Sequence, residues 1–168
     1  MKLYLLRHGK ATAKGGATVD ANRTLTPGGR KCTEETLQSV RKSCQPNLIG
    51  SSPLLRALET AEIASRVLKV RELPLSLDCL RPGTTPAAVV RWLRTRETSA
   101  ILLVGHMPDL AILAAYLVSG TPSGGIALKK SGLCCIEMKG KARRGAGRLE
   151  WLVTPSLLGS IPEVQRHP

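Results

Sequence analysis

Phenylalanine is absent from this chain of 168 residues, and aromatic side chains amount to two Trp and two Tyr. Any core must therefore be built from Leu, Val, Ile and Ala, which suits helices laid on strands, where aliphatic side chains interdigitate well. Acidic residues are also scarce. Only 12 Asp or Glu face 25 Lys or Arg, a formal net charge of +13 that draws in anionic partners, whether phosphate esters, acidic proteins or nucleic acid. Histidine is limited to His8, His106 and His167, and the five cysteines (Cys32, Cys44, Cys79, Cys134, Cys135) form no Cys-x-x-Cys. With no carboxylate cluster at ligand spacing either, neither a zinc site nor a disulfide framework is expected; the thiols read as reduced core residues of an intracellular protein. No metal and no cofactor is expected. Long apolar runs are lacking too. The longest, Leu110 to Val118, is too short to span a bilayer, and Leu3 to Leu6 before Arg7 is too short for a signal peptide. A soluble, cytoplasmic protein without membrane contact is expected.

What is present is a regular alternation of strands and helices. Lys2 to Leu6 reads as a short buried strand, followed by a polar stretch from Lys10 to Arg23. Thr26-Pro27 supplies an N-cap and a first-turn proline for a helix through about Arg41. Leu48 to Ser51 is a second strand. Ser52-Pro53 repeats the cap-and-proline pattern ahead of Leu54, Leu58, Ala61, Ala64 and Val67 at helical spacing. Leu73 to Leu80 reads as a further strand, containing Asp78, and Thr85-Pro86 opens a helix to about Arg96. Ala100 to Val104 is a continuous aliphatic strand ended by Gly105; a helix from about Pro108 to Val118 follows, with Asp109 in its first turn, and stops at Gly120. Leu133 to Met138 and Arg148 to Val153 read as an edge hairpin. Seven Lys or Arg and one acid, Glu137, lie between Lys129 and Arg148, read as a solvated basic loop between two strands. Nucleic-acid binding is the weaker reading of that segment, because stacking platforms need interleaved aromatics and only Trp151 is near. The pattern implies one α/β domain over residues 1–155, a three-layer α/β/α arrangement with a mainly parallel sheet and helices on both faces, and a C-terminal tail over 156–168.

Ligands of open parallel sheets bind beyond the carboxyl ends of the strands. Three polar clusters fall at such ends: Arg7-His8-Gly9, Ser51-Ser52-Pro53 with Arg56 one turn on, and Gly105-His106. Two arginines and a helix N-terminus form an anion site, since guanidinium groups bind phosphoryl oxygens in a planar, bidentate fashion. A neutral imidazole is a competent nucleophile near neutral pH, and a phosphoramidate intermediate divides one difficult displacement into two easier ones. Gly9 is expected to let the backbone approach a bound phosphate.

In order, Arg7-His8-Gly9, Ser52-Pro53-Leu54-x-Arg56-Ala57-x-x-Thr60-Ala61 and Val104-Gly105-His106 resemble the histidine phosphatase superfamily, the phosphoglycerate mutase-like fold. Within it, Arg23-x-Leu25-Thr26-Pro27-x-Gly29, Leu80-x-Pro82 and Gly105-His106-x-Pro108 look like the SixA-type phosphohistidine phosphatases. The resemblance implies that His8 is the phosphorylated nucleophile. Arg7 and Arg56 would clamp the phosphoryl oxygens, and His106 would donate to them. Gly9, Arg23 and Ser52 would bind substrate, Arg23 from the rim. Many members of the superfamily that cleave phosphate esters carry a Glu or Asp after the third strand as proton donor to the leaving group. Asp78 is the only carboxylate in the matching stretch here and reads as a strand residue. An alkoxide leaving group needs that proton; an imidazole leaving group needs it far less. A metal-independent phosphatase acting on phosphohistidine in a protein, releasing inorganic phosphate, is therefore expected. A small-molecule phosphomonoesterase and a phosphate- or nucleic-acid-binding module without turnover are the alternatives. The oligomeric state cannot be read from these residues.

Overall fold

The computed structural model describes residues 1–13, 15, 19–123 and 125–159. The chain enters through β1 (Lys2–Arg7), whose Leu3 and Leu5 face one helical layer while Tyr4 and Leu6 face the other. In α1 (Pro27–Val40), Thr26 Oγ1 accepts the Gly29 N–H at 3.0 Å, so the expected cap and first-turn proline are in place. β2 (Leu48–Ser51) leads to α2 (Leu55–Leu68). Next come β3 (Leu75–Ser76), a 3-10 turn at Asp78–Leu80, and α3 (Pro86–Arg94), capped by Thr85. β4 (Ala100–Gly105) is buried along its whole length, as an uninterrupted aliphatic run requires. α4 (Asp109–Val118), β5 (Leu133–Met138), β6 (Gly147–Val153) and α5 (Pro155–Gly159) complete the order.

The six strands form one sheet in the order β3-β2-β4-β1-β5-β6. β1, β2, β3 and β4 pair in parallel, whereas β5 runs antiparallel to β1 and β6 antiparallel to β5. α1 and α2 cover one face through Leu37, Val40, Ala57, Ala61, Ala64 and Val67. α3 and α4 cover the other through Val89, Val90, Leu93, Leu110, Leu113 and Leu117. The expected three-layer α/β/α fold is thus observed, with Tyr4 the one aromatic among the buried core residues described. Each fully buried Leu in these layers contributes roughly 1.5–3 kcal/mol. The five cysteines are free, and burial pushes the Cys44 and Cys134 thiols up to about 12 and Cys135 up to about 11.

Four expectations are corrected. The strand expected over Leu73 to Leu80 shrinks to Leu75–Ser76, because Pro74 lacks an N–H for the ladder and Leu73 is 86% exposed at the sheet edge. Asp78 accordingly lies beyond that strand, in the 3-10 turn, paired with Arg81 at 2.8 Å. The basic segment is not one loop: Lys129 and Lys130 precede β5, while Lys139, Lys141, Arg143 and Arg144 lie in the β5–β6 connection at the other end of the strand. The tail expected from residue 156 begins inside α5, where Pro155 and Leu158 share a surface pocket with Cys32 and Thr36 of α1. Residues 160–168 of that tail lie outside the described residues.

Two adjacent glycines in α1 behave oppositely. A Cβ on Gly29 would stand 2.1 Å from the carbonyl oxygen of Lys10, whereas one on Gly28 would meet nothing within 4 Å. Gly28→Ala should therefore stabilise by roughly 0.5–1 kcal/mol, the usual helix gain. Gly29→Ala should destabilise by about 2 kcal/mol or more through overpacking. Urea denaturation of both variants checks the opposed signs, and equal effects would contradict the packing described.

Candidate active site

Parallel register sets the site. Arg7 of β1 is level with Gly105 of β4, and Ser51 of β2 with Val104 of β4. The next residues, His8, His106 and Ser52, therefore leave the sheet side by side. His8 N–H donates to the Gly105 carbonyl at 3.1 Å and Ser52 N–H to that of Val104 at 2.9 Å, extending both ladders by one step. The His8 and His106 rings lie with centroids 5.0 Å apart. Arg56 enters from the first turn of α2 and is buried, as is His106, while Arg7 and His8 are half-buried.

The hydrogen bonds fix the protons. His8 Nδ1 sits 2.7 Å from the Gly9 carbonyl, which can only accept, so Nδ1 carries the proton and Nε2 keeps its lone pair. His106 Nε2 lies 2.8 Å from Ser52 Oγ, and that hydroxyl already accepts the Leu54 N–H at 3.4 Å. The Ser52 hydroxyl has no other acceptor for its single proton among the described residues, so Ser52 donates to Nε2 and His106 bears its proton on Nδ1. Among the described residues, the buried side-chain polar atoms left without a partner are His106 Nδ1 and Arg7 Nε. Both are N–H donors, and a buried donor without an acceptor costs about 1–3 kcal/mol unless something fills the place.

Electrostatics keep both imidazoles neutral. Burial, reinforced by Arg56, Arg7 and Lys130, brings His8 down to about 4, although the Gly9 carbonyl opposes the shift. Burial, then His8 and Arg56, brings His106 down to about 3. Arg7 is also lowered by burial, and its Nη1 is anchored on the Leu128 carbonyl at 2.9 Å.

Of the residues expected at the site, Arg7, His8, Ser52, Arg56 and His106 come together. Ser52 is not a helix cap: α2 starts three residues later without a side-chain cap, and the fully buried Ser52 hydroxyl serves His106 instead. Gly9 is demanded by packing, since a Cβ there would stand 2.6 Å from Thr33 Oγ1 and 3.0 Å from the Gly29 carbonyl. Arg23 reaches the group through a residue not anticipated from sequence. Asp20, in a 3-10 turn at Asp20–Asn22, binds Arg23 Nη1 by Oδ1 at 2.8 Å and Arg56 Nη2 by Oδ2 at 3.3 Å. Thr60 was visible in the motif without a role. Its hydroxyl accepts the Gly9 N–H at 3.2 Å and donates to the Arg56 carbonyl at 2.7 Å, tying α2 to the segment that carries His8. Asp78, with its side chain 85% exposed, is outside the site. Asp109 lines a small cavity beside His106 with Cys79, Thr84 and Leu110, and its Oδ1 accepts the Gly83 N–H at 3.0 Å. No group of three or more His, Cys, Asp or Glu with metal-binding geometry occurs among the described residues, and no helix there is long and apolar enough to cross a membrane.

Removal of the Ser52 hydroxyl should release the His106 tautomer. Ser52→Ala should lower kcat/KM for an aryl phosphate about tenfold to a hundredfold, the equivalent of the roughly 1–3 kcal/mol lost with a buried hydrogen-bond partner. Nitrogen-15 spectra should then show His106 redistributed between tautomers; an unchanged Nδ1–H signal would contradict the assignment.

The model of the histidine phosphatase superfamily (branch 1) matches residues 3–78. An uncharacterized protein of Picosynechococcus sp. is 32% identical over 154 residues, 89% of each chain. Among solved structures, the protein histidine phosphatase SixA complexed with tungstate has a TM-score of 0.81 at 24% identity, covering 94% of this chain and 99% of its own. A phosphoserine phosphatase mutant of Entamoeba histolytica in complex with phosphoserine has a TM-score of 0.64 at 18% identity, covering 92% and 97%. At those identities the solved structures speak for the fold alone. The superfamily model's match and the ordered motifs, now seen converging at the carboxyl ends of β1, β2 and β4, agree, and the chain belongs to the histidine phosphatase superfamily.

Proposed function

We propose that this protein is a SixA-type phosphatase that transfers a phosphoryl group from a protein phosphohistidine to His8 and then to water. One observation carries the reading: the partnerless buried donors, His106 Nδ1 and Arg7 Nε, belong to two of the four residues that the motifs assign to the phosphoryl group. A tetrahedral oxyanion is the ligand such donors accept, and Arg56 adds a second guanidinium at the same imidazoles.

The chemistry follows from the tautomers. The Nε2 lone pair of neutral His8 attacks phosphorus while the Gly9 carbonyl holds the Nδ1 proton, and the P–N bond of the substrate breaks. The departing imidazole takes the bonding pair and is protonated from solvent. Water then attacks the phosphoryl group on His8, releasing inorganic phosphate and restoring the neutral imidazole. Charge on the equatorial oxygens is met by Arg7, Arg56 and the His106 Nδ1–H. Among the described carboxylates, Asp20 is held by two arginines and Asp78 is exposed on Arg81, so neither is placed to protonate a leaving oxygen. This favours a phosphoramidate over an alkyl ester. The second reading, a small-molecule phosphomonoesterase, is favoured by Asp109, which lies beside His106 at the cavity.

Three measurements test the mechanism, and the leaving-group series among them separates the two readings. His8→Ala should abolish both turnover and an acid-labile phosphoenzyme trapped by rapid quenching; more than a few per cent residual activity would remove His8 from the role. A leaving-group series in excess chelator should give efficient hydrolysis of phosphohistidine, slow hydrolysis of aryl phosphates and scarcely any of alkyl phosphates. Efficient alkyl phosphate hydrolysis lost by two or more orders of magnitude in Asp109→Asn would establish the second reading, that being the usual size of a general-acid contribution. Because burial and the neighbouring cations bring His8 down to about 4, kcat/KM should hold to low pH and fall as pH drops through about 4, rather than near the usual histidine value of about 6.5.

A further inference from the structure

Arg56 has both terminal nitrogens engaged before any substrate arrives. Its Nη1 donates to the Asp20 carbonyl at 2.8 Å and its Nη2 to Asp20 Oδ2 at 3.3 Å. The other carboxylate oxygen of Asp20 takes Arg23 Nη1 at 2.8 Å, and Arg23 Nε is held by the Thr12 carbonyl at 2.8 Å. Arg56 is buried, whereas the Asp20 side chain is 41% exposed, so the carboxylate stands on the solvent side of the guanidinium. A carboxylate offers a guanidinium the same pair of acceptor oxygens that a phosphoryl group offers.

We propose that Asp20 is an internal counter-anion of the phosphoryl site: its carboxylate occupies the Arg23 and Arg56 forks in the free protein and sets how tightly the site holds an oxyanion. The inference rests on the phosphatase reading above. Arg7, Arg56 and Lys130 gather around two neutral imidazoles, Arg23 joins Arg56 through Asp20, and Asp20 is the carboxylate ion-paired with any of these four cations among the described residues. An incoming phosphoryl oxygen meets Arg56 through its remaining N–H groups, beside a carboxylate that already offsets part of its charge. The carboxylate keeps the cations neutralised while the site is empty and offers them a partner as phosphate leaves. A role as proton donor does not suit Asp20, because its hydrogen bond from Arg23, with the charge of Arg56, holds its carboxyl below the usual range. A role as simple tether predicts something different: Asn keeps the backbone carbonyl and a side-chain acceptor, so a tether would survive Asp20→Asn.

The test is competitive inhibition of para-nitrophenyl phosphate hydrolysis by inorganic phosphate, with titration calorimetry of phosphate as a second measurement, on wild type, Asp20→Asn and Asp20→Ala. Asp20 lies in a turn with no buried residue, so folding of both variants is expected and is checked by circular dichroism. Loss of the carboxylate charge should tighten phosphate about fivefold in Asp20→Asn, the scale of a partly exposed ion pair. KM should fall in parallel, the mark of altered ground-state binding. Phosphate affinity equal to or weaker than wild type in Asp20→Asn would overturn the counter-anion role while leaving the phosphatase reading intact. A wild type that neither hydrolyses the aryl phosphate nor binds phosphate would overturn both.

Discussion

The pairing of β1 with β4 is the constraint on which the site depends. Arg7 opposite Gly105 is the last step of a six-pair parallel ladder, and each of the two histidines is the residue after that step. A strand alternates faces with a period of two, so a slip of one residue would turn Leu102 and Val104 away from α1 and α2 and pull His106 out of line with His8. Such a slip is costly because β4 is buried on both faces and each of its side chains has a defined neighbour layer. The geometry of the candidate site is thus secured first by hydrophobic register rather than by contacts among its polar groups. β2 adds the third element by the same means, since its pairing with β4 delivers Ser52 to His106.

Within that frame, burial and positive charge act together on the imidazoles. Either alone would lower their proton affinity; together they bring His8 to about 4 and His106 to about 3. The consequence is a His8 imidazole with its lone pair available across the neutral range, at some expense in intrinsic basicity. Positive charge that would repel an imidazolium is also the charge that attracts a phosphoryl group. The site can hold several cations close together because its histidines carry none and Asp20 offsets part of the remainder.

What could be read from the sequence was what local physics decides. The aliphatic run of β4, the Thr-Pro caps of α1 and α3, and the polar residues at three strand ends each depend on neighbours in the chain, and each is found in place. What escaped depends on partners far away. Ser52-Pro53 has the same local form as Thr26-Pro27, and only the ring of His106, 54 positions on, diverts its hydroxyl from capping. Asp20 sits in a polar stretch without periodicity, and its meaning comes from Arg56, 36 positions away. Gly9 and Gly29 look like conformational glycines but are small because Thr33 and Lys10 fill the space. The short β3 was the exception, for Pro74 already marked it as a poor strand.

The basic segment illustrates how topology reassigns charge that looks continuous in sequence. β5 enters the sheet antiparallel to β1, so its first residue, Leu133, lies opposite Leu6 near the site and Glu137 lies opposite Lys2 at the far end. Lys129 and Lys130, just before that strand, therefore lie at the His8 end of the sheet, where the charge of Lys130 helps to depress His8. Lys139 to Arg144, just after it, are carried about 20 Å away by a six-residue strand. At that distance in physiological salt their effect on the phosphoryl site is screened, the Debye length being about 8 Å. The net charge of +13 is therefore a poor measure of the field at His8, which is set by Arg7, Arg56 and Lys130.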